Sequence, residues 1–394
     1  MRASAFLAAA LATAAATNKC CEQIHHVLPQ KTSFPTSSTY NATEAAYFSL
    51  QESDLKPSCI IHPTTTQDVS LAMAIISKNP QCLFAIKGRG HTPAAGFANV
   101  QGGVTIDMTG LSAISVSADH SIAHVGAGAS WLGVYKFLKP LNLAVAGGRN
   151  GNVGVGGLLL GGGISHFTTR VGWACDNVVN YEVVLSGGQI IQANASSHPD
   201  LYQALRGGSN NFGIVTRFDL KAFSQGNISV TSLVNDISYV APVFEAFTDI
   251  VTSTPFDKDT SLVTGLLFNS TSKAWTLTNS AVYAKADTNP AVFKNLSAIP
   301  SVSHKNQITT LAQFADEKAT PPLNWVFSTA TFKPSSQFMV ELFDILNTTL
   351  YGFNPAGGVV WSVALEPLAG DMLSTGSTLG MKATERGYSK SIRS

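Results

Sequence analysis

The chain has 394 residues, 45% of them hydrophobic and 12% charged, which is too much for one ordinary core and predicts two domains. Its 25 basic and 24 acidic side chains leave a formal net charge of +1, a balance that points neither to a nucleic acid nor to an anionic membrane surface as partner. The 33 glycines crowd between Gly88 and Gly213, so the backbone there is used in an unusual way.

In chain order, Arg2 and the apolar run Ala5 to Ala16, ending in Ala14-Ala15-Ala16, read as a secretory signal over 1–16. No later stretch reaches about 18 uninterrupted apolar residues, so no membrane anchor is expected. Glycosylation sequons begin at Asn41, Asn194, Asn227, Asn269, Asn295 and Asn347, which agrees with a secreted protein. Five cysteines, Cys20, Cys21, Cys59, Cys82 and Cys175, leave at least one outside any bridge in a monomer. An oxidising compartment favours bridges among the first four. Their spacing lacks the paired clusters of a zinc site, so no metal is expected.

Residues 17–52 read as a lead-in with one short helix, punctuated by Pro29 and Pro35. Cys59-Ile60-Ile61 is a strand. Thr64 to Asp68 starts a helix that runs through Val69 to Ser77, and Leu83 to Ile86 is a second strand. Strands follow at Val104 to Asp107 and Ser121 to Val125, then a helix at Trp131 to Leu138 and a glycine-dominated loop from Gly147 to Gly163. Val183 to Leu185 and Ile190-Ile191 are strands joined by a turn at Ser186-Gly187-Gly188. Pro199 to Leu205 is helical, and Ile214 to Leu220 is a further strand. Beyond about residue 225 glycine becomes sparse, which sets a domain boundary near Ser224. Strands at Ser261 to Phe268 and Ala281 to Tyr283 then alternate with helices at Pro242 to Ser253 and Phe338 to Leu346. The whole reads as α+β.

Two glycine motifs carry the chemistry. The first, Lys87-Gly88-Arg89-Gly90-His91-Thr92-Pro93-Ala94-Ala95-Gly96, follows a strand and presents consecutive backbone N–H groups, a nest for a diphosphate. The second is the run Gly147 to Gly163, where glycine takes more than half of the positions and Val and Leu most of the rest. A flexible linker would be Ser-rich and polar. This backbone instead packs closely against something flat or phosphorylated. It is not a G-x-G-x-x-G opening a βαβ unit, because no clear amphipathic helix follows.

These motifs, with Leu55 to Pro63, Gly172-Trp173-Ala174-Cys175-Asp176-Asn177-Val178 and Gly207 to Thr216, agree in order and spacing over about 170 residues with a known family. The run resembles the PCMH-type FAD-binding domain shared by vanillyl-alcohol oxidase and the berberine bridge enzyme-like proteins, and its texture is nearest the fungal secreted branch. The resemblance implies a two-lobed FAD-binding domain over 53–224 and an antiparallel-sheet substrate domain over 225–380, followed by a tail at 381–394. It implies FAD held by Lys87, Gly88, Arg89, Gly90, His91 and Gly96, by Val153, Gly154, Gly156, Gly157, Leu158, Gly161, Gly162, Gly163 and Ile164, and by Asp176, Ile214 and Val215. His91 corresponds to the histidine that bonds to the 8α-methyl of the flavin. Many relatives carry at position 150 a cysteine that makes a second bond, and Asn150 cannot, so a single histidyl link is expected. Cys82 would bridge to Cys20 or Cys21.

The implied activity is hydride transfer from an alcohol, sugar or secondary metabolite to FAD and then to O2. Val153, a small aliphatic residue, leaves room for oxygen; its bland reading is packing. Val359 to Leu368 resembles the family's strand that ends in a Gln-Pro-Leu-like element, with Glu366 in the Gln place, and Glu366 is a candidate base or else an exposed strand-end carboxylate. Cys175 reads as a small buried hydrophobe more readily than as a catalytic thiol. Arg149 meets a substrate anion or a flavin carbonyl, or only packs. Resemblance fades after Leu379-Gly380, and 381–394 has no apolar period, so the substrate domain looks C-terminally truncated. A dehydrogenase with another acceptor, or an inactive flavin-binding remnant, are the alternatives.

Overall fold

The computed structural model describes residues 19–318, 320–353, 355–368 and 379, and the backbone of 388–393. The expected signal peptide lies outside the described residues. The chain forms two compact units. The first takes in the chain up to Gly163, then Ala174–Phe223 and Ala315–Trp325; the second takes Ile164–Trp173, Ser224–Phe314 and the chain from Val326. The sequence places one boundary, near Ser224, whereas in the structure two short segments are exchanged as well.

The first unit holds two sheets. In one, β1 (Thr32–Ser33), β2 (Cys59–Ile61), β3 (Phe84–Lys87) and β4 (Val104–Asp107) lie in the order β1-β2-β4-β3. Strands β2 and β3 both run parallel to β4. The helix Thr66–Ile76 is the crossover that carries the chain from β2 past the place of β4 to β3, so that the three strands run parallel. Its start is a capping box: Thr65 accepts the Asp68 N–H, and the Asp68 carboxylate accepts the Thr65 N–H. Val69, Ala72, Met73 and Ile76 are its buried apolar stripe. Residues 19–27 are also helical. They are tied to this sheet by Cys20–Cys82 and Cys21–Cys59, so Cys82 bridges to the first of its two expected partners.

The second sheet comprises β5 (Ile114–Val116), β6 (Ile122–Gly126), β7 (Leu143–Val145), β8 (Val178–Val184), β9 (Ile190–Asn194) and β10 (Ile214–Ser224), ordered β5-β6-β10-β8-β9 with β7 also on β10. The 147–163 segment is not all loop, because Val155–Leu160 is a short helix. Val155, Leu159 and Leu160 are buried, and a Cβ at Gly156 would stand 3.2 Å from the Ala127 carbonyl, so the glycines that hide the helix in the sequence let it pack closely.

The second unit is a seven-stranded sheet: β11 (Ile228–Asn235), β12 (Thr260–Asn269), β13 (Ala274–Tyr283), β14 (Ser303–Thr309), β15 (Phe327–Phe332), β16 (Val360–Leu365) and β17 (Tyr388–Arg393), in the order β14-β11-β13-β12-β16-β17-β15. Every pairing given for it is antiparallel. Leu262, Leu266, Leu277, Ala281, Val363 and Leu365 pack in one apolar core with Val243, Phe244 and Phe247 of the helix Val240–Thr252 and Met339 and Phe343 of the helix Ser336–Tyr351. Residues 388–393, read from the sequence as tail, form β17. Tyr388 to Arg393 holds only Tyr388 and Ile392 as apolar residues, too few to mark a strand period in the sequence. Glu366 follows β16 and is buried, at 7% exposure, rather than an exposed strand-end carboxylate.

Candidate functional site

The first unit contains a cavity of about 380 Å³ where the two glycine motifs meet. Its wall is the turn Gly88 to Pro93, the segment Val153, Gly154, Gly156, Gly157 and Leu158, and the Ser209, Asn210 and Gly213 to Val215 stretch entering β10. At Gly88 and Gly157 a Cβ would meet nothing within 4 Å, so the cavity reaches bare backbone there. Gly90 is required for a different reason: its φ is +67° and a Cβ would stand 2.9 Å from the Tyr47 ring. At Gly154 a Cβ would come 3.0 Å from the Arg89 backbone nitrogen, so the two motifs touch at glycine.

Arg89 is the sole Lys or Arg in this wall and makes no ion pair among the described residues. His91 stands beside it, its ring stacked on Phe48 with centroids 4.0 Å apart. The loop beyond His91 is held by Glu52, which is fully buried and accepts the backbone N–H groups of Gly96, Phe97 and Ala98. Burial pushes the Glu52 carboxyl above the usual carboxylate range, and these hydrogen bonds oppose the rise.

A second cavity, of about 780 Å³, shares Arg89 and His91 in its wall. Lys87 faces this one, paired with Asp107 at 3.2 Å with both side chains almost fully buried. Burial alone would raise the Asp107 carboxyl. The Lys87 charge and the hydrogen bonds from Thr109 and Lys87 hold it below its ordinary value.

A cleft walled by bare glycine backbone, with one uncompensated guanidinium and an imidazole at its edge, fits a flat ring system carrying a diphosphate. The comparisons decide between such ligands. A family model described as an FAD binding domain matches residues 57–194. An FAD-dependent monooxygenase of Fusarium proliferatum is 40% identical over 300 residues, covering 73% of this chain and 57% of that protein. One from Cochliobolus heterostrophus is 33% identical over 363 residues, covering 88% of this chain and 70% of that protein. This chain belongs to the family of FAD-linked oxidoreductases that these relatives represent. The solved structure of a berberine bridge enzyme-like protein from Arabidopsis thaliana superposes with a TM-score of 0.76 over 95% of this chain and 80% of that one, at 18% identity, a likeness of fold. The first relative is thus matched over little more than half of its length, and the second over about two thirds.

Of the residues expected to hold FAD, Gly88, Arg89, Gly90, His91, Val153, Gly154, Gly156, Gly157, Leu158, Ile214 and Val215 line the one cavity. Seven do not. Lys87 faces the second cavity. The Gly96 N–H is taken by Glu52. The carbonyls of Gly162 and Gly163 accept the N–H groups of Cys175 and Ala174 and so fix the turn that carries Asp176. Gly161 caps the helix Val155–Leu160, and Ile164 belongs to the second unit. The wall also includes Ile86, Thr92, Pro93, Phe97, Ala98, Met108, Ala127, Leu160, Ser209, Asn210 and Gly213. Ser209, Asn210 and Gly213 lay within the Gly207 to Thr216 run that carries the family likeness, the one signal that pointed to them. Asn150 donates to Glu317 at 2.8 Å. Cys175 is fully buried and outside both disulfides. Among the described residues no group of three or more His, Cys, Asp or Glu is placed to hold a metal, and no helix is long and apolar enough to cross a membrane.

Proposed function

We propose that this chain holds FAD through a single bond to His91 and oxidises an alcohol, sugar or secondary metabolite, with O2 as the electron acceptor. The observation that carries this reading is His91 in the wall of a cavity bared to backbone at Gly88 and Gly157. Bound FAD supplies a two-electron acceptor, so that a hydride leaves a substrate carbon while its proton goes to a base, and O2 takes the pair to become H2O2. The chain's own residues bind and orient. The 88–92 turn offers N–H groups to a diphosphate and Arg89 offsets its charge. Asn150 has no thiol and its amide is engaged by Glu317, which supports one covalent bond rather than two. Val153, in the cavity wall, leaves space for O2. Glu366, buried at the end of β16, is the proton acceptor in this proposal. The signal-like start, the sequons and two disulfides support a secretory route.

A second reading has a specific support: the curated relatives are named monooxygenases. Insertion of one oxygen atom of O2 into substrate, with the other leaving as water after reduction by two electrons and two protons from a reductant such as a nicotinamide or a second substrate molecule, would then replace H2O2 release. One set of measurements separates these readings. Flavin that stays with acid-precipitated wild-type protein and is lost in His91→Ala supports the bond. One H2O2 per substrate oxidised supports the oxidase, and label from ¹⁸O2 in the product supports the monooxygenase. Substrate reduction of the flavin that only an artificial acceptor reverses would make it a dehydrogenase. No reduction by any of a broad substrate panel would leave a flavin-binding protein.

A further inference from the structure

His91 is the outer member of a stack of three rings. Its imidazole lies 4.0 Å from Phe48 at an interplanar angle of 17°, and Phe48 lies 4.9 Å from Trp325 at 12°. Neither backing ring is held only by packing. The Phe48 N–H donates to the carbonyl of Gly90, the residue before His91, at 3.0 Å, so ring and turn share one register. Trp325 is clamped by one side chain from both directions: the Gln51 amide donates to its carbonyl at 2.6 Å and accepts its N–H at 3.1 Å. Leu50 adds an N–H to the Leu323 carbonyl at 3.0 Å.

The arrangement has a consequence for bond formation. A histidine in a glycine-rich turn can rotate about two side-chain torsions, and the lone pair of an imidazole nitrogen lies in the ring plane. Fixing that plane therefore fixes the direction along which the nitrogen approaches carbon, the kind of orientation that lowers a barrier without touching the reacting partner. A parallel stack favours one ring plane over the others.

We propose that Phe48, backed by Trp325, is the positioning residue that sets the plane of His91 for attachment of the flavin. This rests on the reading of His91 as the attachment site. The net step forms one C–N bond between an imidazole nitrogen and the ring methyl carbon. The imidazole N–H and one methyl C–H are lost, and their two electrons and two protons leave on O2 as H2O2.

The test uses the full chain, produced under riboflavin limitation and then given FAD, with two readouts. One is the rate at which acid-stable flavin appears on the protein; the other is total FAD bound by the native protein. Phe48→Leu keeps an apolar side chain but removes the stack. It is expected to slow attachment at least tenfold while total FAD bound at saturation stays within twofold of wild type. Phe48→Tyr restores the ring and is expected to attach within threefold of the wild-type rate. Trp325→Leu is expected to fall between them, and it decides the matter should Phe48→Leu not fold. A Phe48→Leu or, in its place, Trp325→Leu protein that attaches flavin at the wild-type rate overturns the proposal. A wild type with no acid-stable flavin, or a His91→Ala protein that retains it, overturns the attachment reading itself and the positioning role with it.

Discussion

Glu52 accepts the backbone N–H of Ala98 at 2.7 Å, and the same carboxylate takes the N–H groups of Phe97 and Gly96. It comes from the short helix Leu50–Ser53 and ties down the loop that carries Phe97 and Ala98 into the cavity wall. Glu52→Ala removes the acceptor of three backbone N–H groups, of which that of Ala98 is buried and those of the exposed Gly96 and Phe97 can turn to water, and is expected to cost about 2–3 kcal/mol. Glu52→Gln should cost less, about 1–2 kcal/mol, because one oxygen remains while an NH2 now faces the Gly96 N–H. Urea unfolding of the three proteins checks the order. Equal stabilities for Glu52→Ala and wild type would contradict it.

Gly157 separates stability from cofactor binding. It sits inside the helix Val155–Leu160, and a Cβ there meets no protein atom within 4 Å, yet the position lines the cavity. Gly157→Ala should therefore raise the stability of the flavin-free protein by about 0.5–1 kcal/mol. The same methyl occupies ligand space and should weaken FAD binding at least tenfold. Melting of the flavin-free protein and an FAD titration give the two numbers; binding unchanged by the methyl would place the flavin elsewhere.

The parts of this molecule that were legible in its sequence are those fixed by local chemistry. Thr65 and Asp68 announce the start of their helix because the capping box is made within four residues. Strand β4 is four buried residues bounded by turn signals, and it was read to the residue. Strands β5 and β7 are three residues each, too short to show a period, whereas the equally short β2 is legible from its β-branched pair Ile60-Ile61 after Pro57. The helix Val155–Leu160 was missed because glycine, chosen there for close packing, also lowers helix propensity. In the site, the contiguous glycine motifs were visible, whereas Ile86, Met108 and Ala127 enter the wall only because sheets bring them there. The Phe48–His91 stack has no local signature at all, since its two rings come from distant parts of the chain.

Val153 gives a kinetic test of oxygen access. It lines the cavity, and its carbonyl accepts the Trp131 N–H at 3.1 Å, a backbone contact that any side chain keeps. Val153→Leu should leave folding and flavin content unchanged and slow reoxidation of substrate-reduced protein by O2 about tenfold, as the added carbon fills the approach. Stopped-flow mixing with oxygenated buffer measures it. Reoxidation at the wild-type rate would return Val153 to a packing role.

The buried pair Lys87–Asp107 predicts a pH dependence whose sign can be worked out. Asp107 also accepts from Thr43 at 3.0 Å, and its carboxyl is held below its ordinary value. A depressed folded-state value means that the pair's contribution is fully present above the unfolded carboxyl pKa of about 3.9. It is lost as pH falls from there through Asp107's lower folded value. Lys87→Met removes the cation and strands the anion, which should cost about 3–5 kcal/mol at pH 7. Without Lys87, burial dominates and lifts the Asp107 carboxyl, so protonation relieves the stranded charge and the deficit should shrink as pH falls towards about 4.5. Lys87→Met combined with Asp107→Asn removes both charges of the pair and should recover at least about 2 kcal/mol of the loss at pH 7. Urea unfolding at the two pH values measures all of these. A deficit equal at both pH values, and not relieved by the double substitution, would mean that Lys87 acts through the packing of its stem against Tyr47, whose ring lies 5.2 Å from the ammonium, and not through its charge.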